Sequence, residues 1–133
     1  MRAIVRVALA LLCCAEIGVA AAADAPAWLV GEYKGSATNR NGLTNIFVQI
    51  KSATIGPDGR LVLDMVYRND RNIPDWVAIQ PEVGVVSAED VRITFESPAR
   101  SRFQLDARPD GSMAGSVVDR SGAGGAIRFT KSK

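Results

Sequence analysis

From Trp28 onward, apolar and polar residues alternate in short runs separated by turn-forming residues. In Trp28-Leu29-Val30-Gly31-Glu32-Tyr33-Lys34-Gly35, the residues Leu29, Gly31, Tyr33, Gly35 and Ala37 share one face, and Val30, Glu32, Lys34 and Ser36 the other. A period of two marks a half-buried strand. Glycine on the inward face weakens a strand unless the backbone bends or something approaches it closely. The stretch therefore reads as the first strand of a sheet that closes on itself. After an Asn39-Arg40-Asn41-Gly42 hairpin turn, residues 43–54 set Ile46, Val48 and Ile50 against Phe47, Gln49 and Lys51. Beyond Pro57-Asp58-Gly59, a turn with proline presetting φ, a third strand places Leu61, Leu63, Met65 and Tyr67 inward, opposite Val62, Asp64, Val66 and Arg68.

The longest loop is predicted over residues 69–75. Residues 76–86 read as one long strand bent at Pro81, in preference to two short strands with a tight turn, because proline inside such a run marks a bulge or an edge. Four more strands follow, with Val91, Ile93 and Phe95, then Phe103, Leu105 and Ala107, then Met113, Gly115 and Val117, and finally Ile127 and Phe129 inward. Their connections are Ser87-Ala88-Glu89-Asp90, Ser97-Pro98-Ala99-Arg100, Pro109-Asp110-Gly111 and a glycine-rich loop over 119–125. No segment sustains a helical period. The predicted fold is all-β, a small antiparallel up-and-down β-barrel of about eight strands, with a β-sandwich as the alternative. Charge at the outward positions Lys51, Asp64, Arg92, Glu96 and Arg128 excludes an outer-membrane barrel, whose exterior is an apolar band.

Residues 1–23 lie outside this pattern. Arg2 and Arg6 precede an apolar stretch from Val7 to Ala15, and Ala20-Ala21-Ala22-Ala23 stands before Asp24. That order predicts a secretory signal peptide over 1–23, a single domain over 24–133, and a periplasmic or secreted location. The apolar stretch is far short of a bilayer span, so no transmembrane segment is expected after cleavage. Cys13 follows Leu12 and Cys14 follows Cys13, whereas a lipoprotein site has a small residue just before its cysteine. Both cysteines are expected to leave with the signal.

Composition narrows the chemistry. The whole chain has a formal charge of +2, two cysteines and no histidine. Cleavage would leave about 110 residues with a charge of about +1, enough for one modest core. That balance, with no basic run, gives no nucleic-acid footprint. Without cysteine in the mature part, stability must come from core burial and sheet closure. Without histidine or cysteine, the usual zinc, copper and haem ligand sets are missing, as are Ser-His-Asp and Cys-His nucleophile systems. No metal or cofactor is expected. Glu32 and Asp64 fall on the outward face, where they are not placed as an acid–base pair in a pocket.

In an up-and-down arrangement alternate connections share an end. Pro57-Asp58-Gly59, Ser87–Asp90 and Pro109-Asp110-Gly111 fall at one end, all tight. The connections at 39–42, 69–75, 97–100 and 119–125 fall at the other. They carry Arg40, Arg71, Arg100 and Arg120, with Arg68 and Arg102 close by. Arginine's planar fork suits carboxylate and phosphate, and ligands enter such barrels at the looped mouth. The candidate binding residues are Tyr33, Tyr67, Arg68, Arg71, Asn72, Trp76, Arg100 and Arg120. The competing reading pairs these arginines with neighbouring aspartates on a wet surface.

Trp28 and Gly31-x-Tyr33, opening a run of antiparallel strands, resemble the first strand of lipocalin-like (calycin) barrels. That family sets its tryptophan two residues after the glycine, where Tyr33 stands here. The resemblance covers one strand and the general meander, and implies a barrel with a ligand cavity. The expectation is a non-enzymatic binding module for a small amphipathic or anionic ligand. A protein-binding module of inhibitor or immunity type, using the same loops, is the alternative. A cofactor-free isomerase or cyclase is the third.

Overall fold

The computed structural model describes residues 25–39 and 42–133; the predicted signal segment, Arg40 and Asn41 lie outside the described residues. After a 3-10 turn at Ala27–Leu29 come the strands β1 (Gly31–Asn39), β2 (Gly42–Ile55), β3 (Leu61–Asn69), β4 (Ile73–Ile79) and β5 (Glu82–Ser87). Then follow β6 (Asp90–Glu96), β7 (Arg102–Ala107), β8 (Ser112–Val118) and β9 (Gly124–Lys131). They form one antiparallel sheet in the order β4-β3-β2-β1-β9-β8-β7-β6-β5.

That order puts β4 and β5 at opposite edges, yet only Gln80 and Pro81 separate them in the chain. The edges must meet there, so the sheet curls into a half-barrel. Strand directions alternate along the sheet, which makes β4 and β5 run the same way. They are two halves of one strand bent at Pro81, β4 pairing with β3 and β5 with β6. Proline cannot donate to a ladder, and here it sits where the strand changes partner. Counting the bent strand once recovers the number of strands that the turn spacing predicts.

The period-two pattern fills the inside. Tyr33, Val48, Ile50, Met65, Ile93, Leu105, Met113 and Phe129 are fully buried. Phe95 and Phe103 stack with ring centroids 4.7 Å apart, and Tyr67 meets both at 5.9–6.2 Å. Each such large apolar side chain contributes about 1.5–3 kcal/mol of burial.

Three boundaries differ from the sequence reading. The first strand begins at Gly31, because Leu29 N–H donates to the Pro26 carbonyl at 3.1 Å and Val30 N–H to that of Ala27 at 3.2 Å. The resulting turn keeps Leu29 inward, as the alternation demands, but folds it into the core instead of extending the strand. Gly31 allows the change of direction. Its φ is +154°, and a Cβ there would lie 2.6 Å from the Lys133 carbonyl oxygen. The loop predicted over 69–75 is also shorter, only Asp70, Arg71 and Asn72. Asn69 accounts for that, since its Oδ1 accepts from the N–H groups of Arg71, Asn72 and Ile73 at 3.0–3.3 Å. Pro74 is tolerated because β4 is an edge strand. The glycine-rich loop likewise ends early, with β9 starting at Gly124.

Candidate functional site

The bent strand fixes which connections share an end. Those from β1 to β2, β3 to β4, β6 to β7 and β8 to β9 gather at one end. The tight turns gather at the other, together with the 3-10 turn. There the buried Tyr33 hydroxyl donates to the Leu29 carbonyl at 2.8 Å, and burial pushes the phenol up to about 12. Lys131 Nζ donates to the Trp28 carbonyl at 2.7 Å beside it. This end is closed.

The looped end holds a cavity of about 700 Å³. Ile46, Tyr67 and Phe103, all inward-facing and buried, line its apolar depth, with Ala37, Val117 and Gly125 on the walls. Gly125 faces inward in register with Ile127 and Phe129, and a Cβ at its position would meet nothing within 4 Å. Polar groups crowd the upper part: Thr44, Asn69, Arg71, Asn72, Ser101 and Asp119.

Most of these polar groups are held by local bonds. Asn69 folds the β3–β4 turn with its Oδ1 and donates from Nδ2 to the Tyr67 hydroxyl at 3.1 Å. Burial raises the Tyr67 phenol above its ordinary range, against the opposing pull of hydrogen bonds with Asn69 and Ser97. Arg71 Nε donates to Thr44 Oγ1 at 2.8 Å, which fixes the guanidinium at the cavity wall. Asp70 clamps the same turn to β2 by accepting from Asn45 N–H at 2.9 Å and Asn45 Nδ2 at 2.8 Å; the side-chain bond leads in holding its carboxyl below the usual range. Asp119 organises the β8–β9 loop, accepting from the Ser121 hydroxyl at 2.6 Å and from Ser121 and Ala123 N–H. These bonds, the hydroxyl first, keep it ionised further into acid.

The wall is incomplete on one side. β1 pairs with β2 along its whole length, but with β9 only from Tyr33 to Gly35, opposite Lys131 to Phe129. Above that point Ser36, Ala37 and Thr38 line the cavity on one flank and Gly124, Gly125 and Ala126 on the other. The cavity thus opens sideways between two strand edges as well as through the loops.

Of the residues singled out from the sequence, Tyr67, Arg71 and Asn72 come together on the cavity. Tyr33 is buried at the closed end. Arg68 and Trp76 lie on the outer face, where the guanidinium carbon sits 3.9 Å from the Phe47 ring centroid and 5.1 Å from that of Trp76. Arg100 and Arg120 are exposed on their loops and do not line the cavity, although Ala99, Ser101 and Asp119 beside them do. Arg100 has φ 65°, closing the turn in which its N–H donates to the Ser97 carbonyl. Arg40 lies outside the described residues. The sequence reading missed Thr44 and Asn69. Both are polar residues at inward positions near strand ends, a signal that alternation alone carries. No group of three or more His, Cys, Asp or Glu side chains among the described residues is placed to hold a metal ion. Compared with protein-family models, curated proteins and solved structures, the chain matches none.

Proposed function

We propose that this chain is an exported, non-enzymatic binding module whose looped-end cavity takes a small amphipathic ligand bearing an anionic group. The observation that carries the reading is the composition of the cavity: Tyr67, Phe103 and Ile46 in its depth, Arg71 fixed by Thr44 on its wall. Apolar lining with a few placed polar groups is the usual make-up of a ligand pocket. An apolar body would lie over the two rings and its anion against the guanidinium, whose fork matches carboxylate or phosphate. The plugged opposite end supports entry through the loops or the β1–β9 side. The lipocalin-like first strand and the signal-like residues 1–23 agree with an exported carrier.

Dansyl-undecanoate, a fluorescent fatty acid, is the test probe. It should bind the protein saturably. Gly125→Phe, which puts a ring into open space, should weaken binding at least about tenfold while leaving the fold intact, since one buried ring displaces the ligand's apolar part. Equal binding by Gly125→Phe would remove the cavity as the site.

A further inference from the structure

We propose that the ligand of this cavity is a short extended peptide, held as an added strand in the gap between β1 and β9. The inference rests on the reading of the cavity as a ligand site and names the class of ligand. It comes from which backbone groups face the gap.

Glu32 N–H donates to the Lys133 carbonyl at 3.1 Å, and its own carbonyl accepts from Ser132 N–H at 2.7 Å. The backbone polar groups of Glu32 therefore point away from β2, towards the β9 side. In an antiparallel strand alternate residues point their N–H and C=O the same way, so those of Lys34, Ser36 and Thr38 also face β9. On β9, Lys131 N–H donates to the Gly111 carbonyl, away from β1. Thr130, Arg128, Ala126 and Gly124 consequently turn their polar groups towards β1. The β1–β9 ladder ends at Gly35 and Phe129. Beyond it, Thr38 on one flank and Ala126 and Gly124 on the other present donors and acceptors to the cavity.

None of the residues that line the cavity on these flanks, Ser36, Ala37 and Thr38 or Gly124, Gly125 and Ala126, has a side chain larger than threonine, so the backbone edges form much of the wall. Strand edges of this kind are templates for another strand. An added chain would run antiparallel to one flank and parallel to the other, about 4.8 Å from each. It would span about four residues, given the length of β1 above Gly35. An aliphatic chain in the same place would leave these donors and acceptors without partners, which costs free energy for every group it dries. A peptide backbone meets them. Its free carboxylate supplies the anion for Arg71, and the inward-facing side chains of alternate residues supply the apolar part.

The experiment is affinity selection of a random pentapeptide library with free carboxyl termini on the purified protein, the retained peptides being read by mass spectrometry. Retained peptides should lose at least about tenfold in affinity when either alternate set of their amides is N-methylated, the loss of one or two hydrogen bonds. Thr38→Pro and Ala126→Pro each remove an N–H that faces the gap and spare the ladders to β2 and β8. Each should weaken peptide binding by about tenfold in a protein whose circular dichroism stays native. Retained peptides indifferent to N-methylation and to both proline variants would overturn the proposal. So would retention of no peptide by a protein that binds dansyl-undecanoate, a result that leaves the cavity standing as a site. Failure of both probes would remove the cavity reading itself. Should Thr38→Pro fail to fold, Ala126→Pro and the N-methylated peptides decide.

Discussion

The Tyr33 hydroxyl donates to the Leu29 carbonyl across four residues, from inside the barrel to the turn that closes it. Both residues are fully buried. Tyr33→Phe keeps the ring and strands that carbonyl without its partner, so the variant should lose about 1–3 kcal/mol of stability. Chemical denaturation reads this directly. An unchanged midpoint would mean that the turn is held without the tyrosine bond, by its own backbone bonds, Leu29 packing and the Lys131–Trp28 bond.

The chain has two tyrosines, and burial raises both phenols, Tyr33 to about 12. The unfolded chain releases these protons near 10.0, the folded one later. Their contribution to stability is therefore whole below that pH and is lost as pH rises towards the folded values. Ultraviolet titration of tyrosinate should show little absorbance change around pH 10 while the circular dichroism stays native. The change should arrive together with unfolding. Early titration of either tyrosine in the intact fold would contradict the burial.

In acid the sign reverses. Asp70, Asp110 and Asp119 have carboxyls held below 3.8 by hydrogen bonds, chiefly from Asn45, the Ser112 hydroxyl and the Ser121 hydroxyl respectively. Their contribution is complete above that value and disappears as pH falls through the folded values. Stability should stay level from neutrality to about pH 4 and then decline. Combining Asp70→Asn, Asp110→Asn and Asp119→Asn should flatten the decline in pH-dependent denaturation curves.

Two inward glycines should respond in opposite ways to the same change. A Cβ at Gly35 would lie 2.9 Å from the Arg128 carbonyl oxygen and from the Phe129 ring, while one at Gly125 meets open space. Gly35→Val should cost about 1–3 kcal/mol through overpacking. Gly125→Val should be neutral or stabilising by up to about 1 kcal/mol, since valine favours a strand. Thermal melts of the pair compare the clasped and the open parts of the same strand neighbours.

On the outer face, Arg68 lies over Phe47 and near Trp76. Arg68→Ala should cost about 0.5–1 kcal/mol at this exposed site and leave dansyl-undecanoate affinity unchanged. A large loss of affinity would place binding on the outside of the barrel.

Alternation made the strands, their inward residues and the bend at Pro81 legible in the sequence. It also sets Arg68 outward, opposite Tyr67. Nearness to a long loop in the chain does not bring a side chain to the cavity, and strand parity decides the matter for Arg68 and Trp76. The shortened loop depended on Asn69 bonding three successive N–H groups, a geometry that one residue's identity does not announce. The gap beside Ala126 was out of reach for another reason. It follows from where the β1–β9 ladder stops, and those strands lie at opposite ends of the sequence.

The sheet order also has a meaning for how the chain folds. β1 to β4 are a meander of hairpins, and so are β5 to β9. Every pairing within each joins neighbours in sequence and closes quickly. A single ladder, Tyr33–Gly35 against Phe129–Lys131, joins the first strand to the last. Its loop-closure entropy is met only after both meanders exist. Closure is the late step, and the shortest ladder at the wall's open flank is where amide exchange should first report the barrel coming apart.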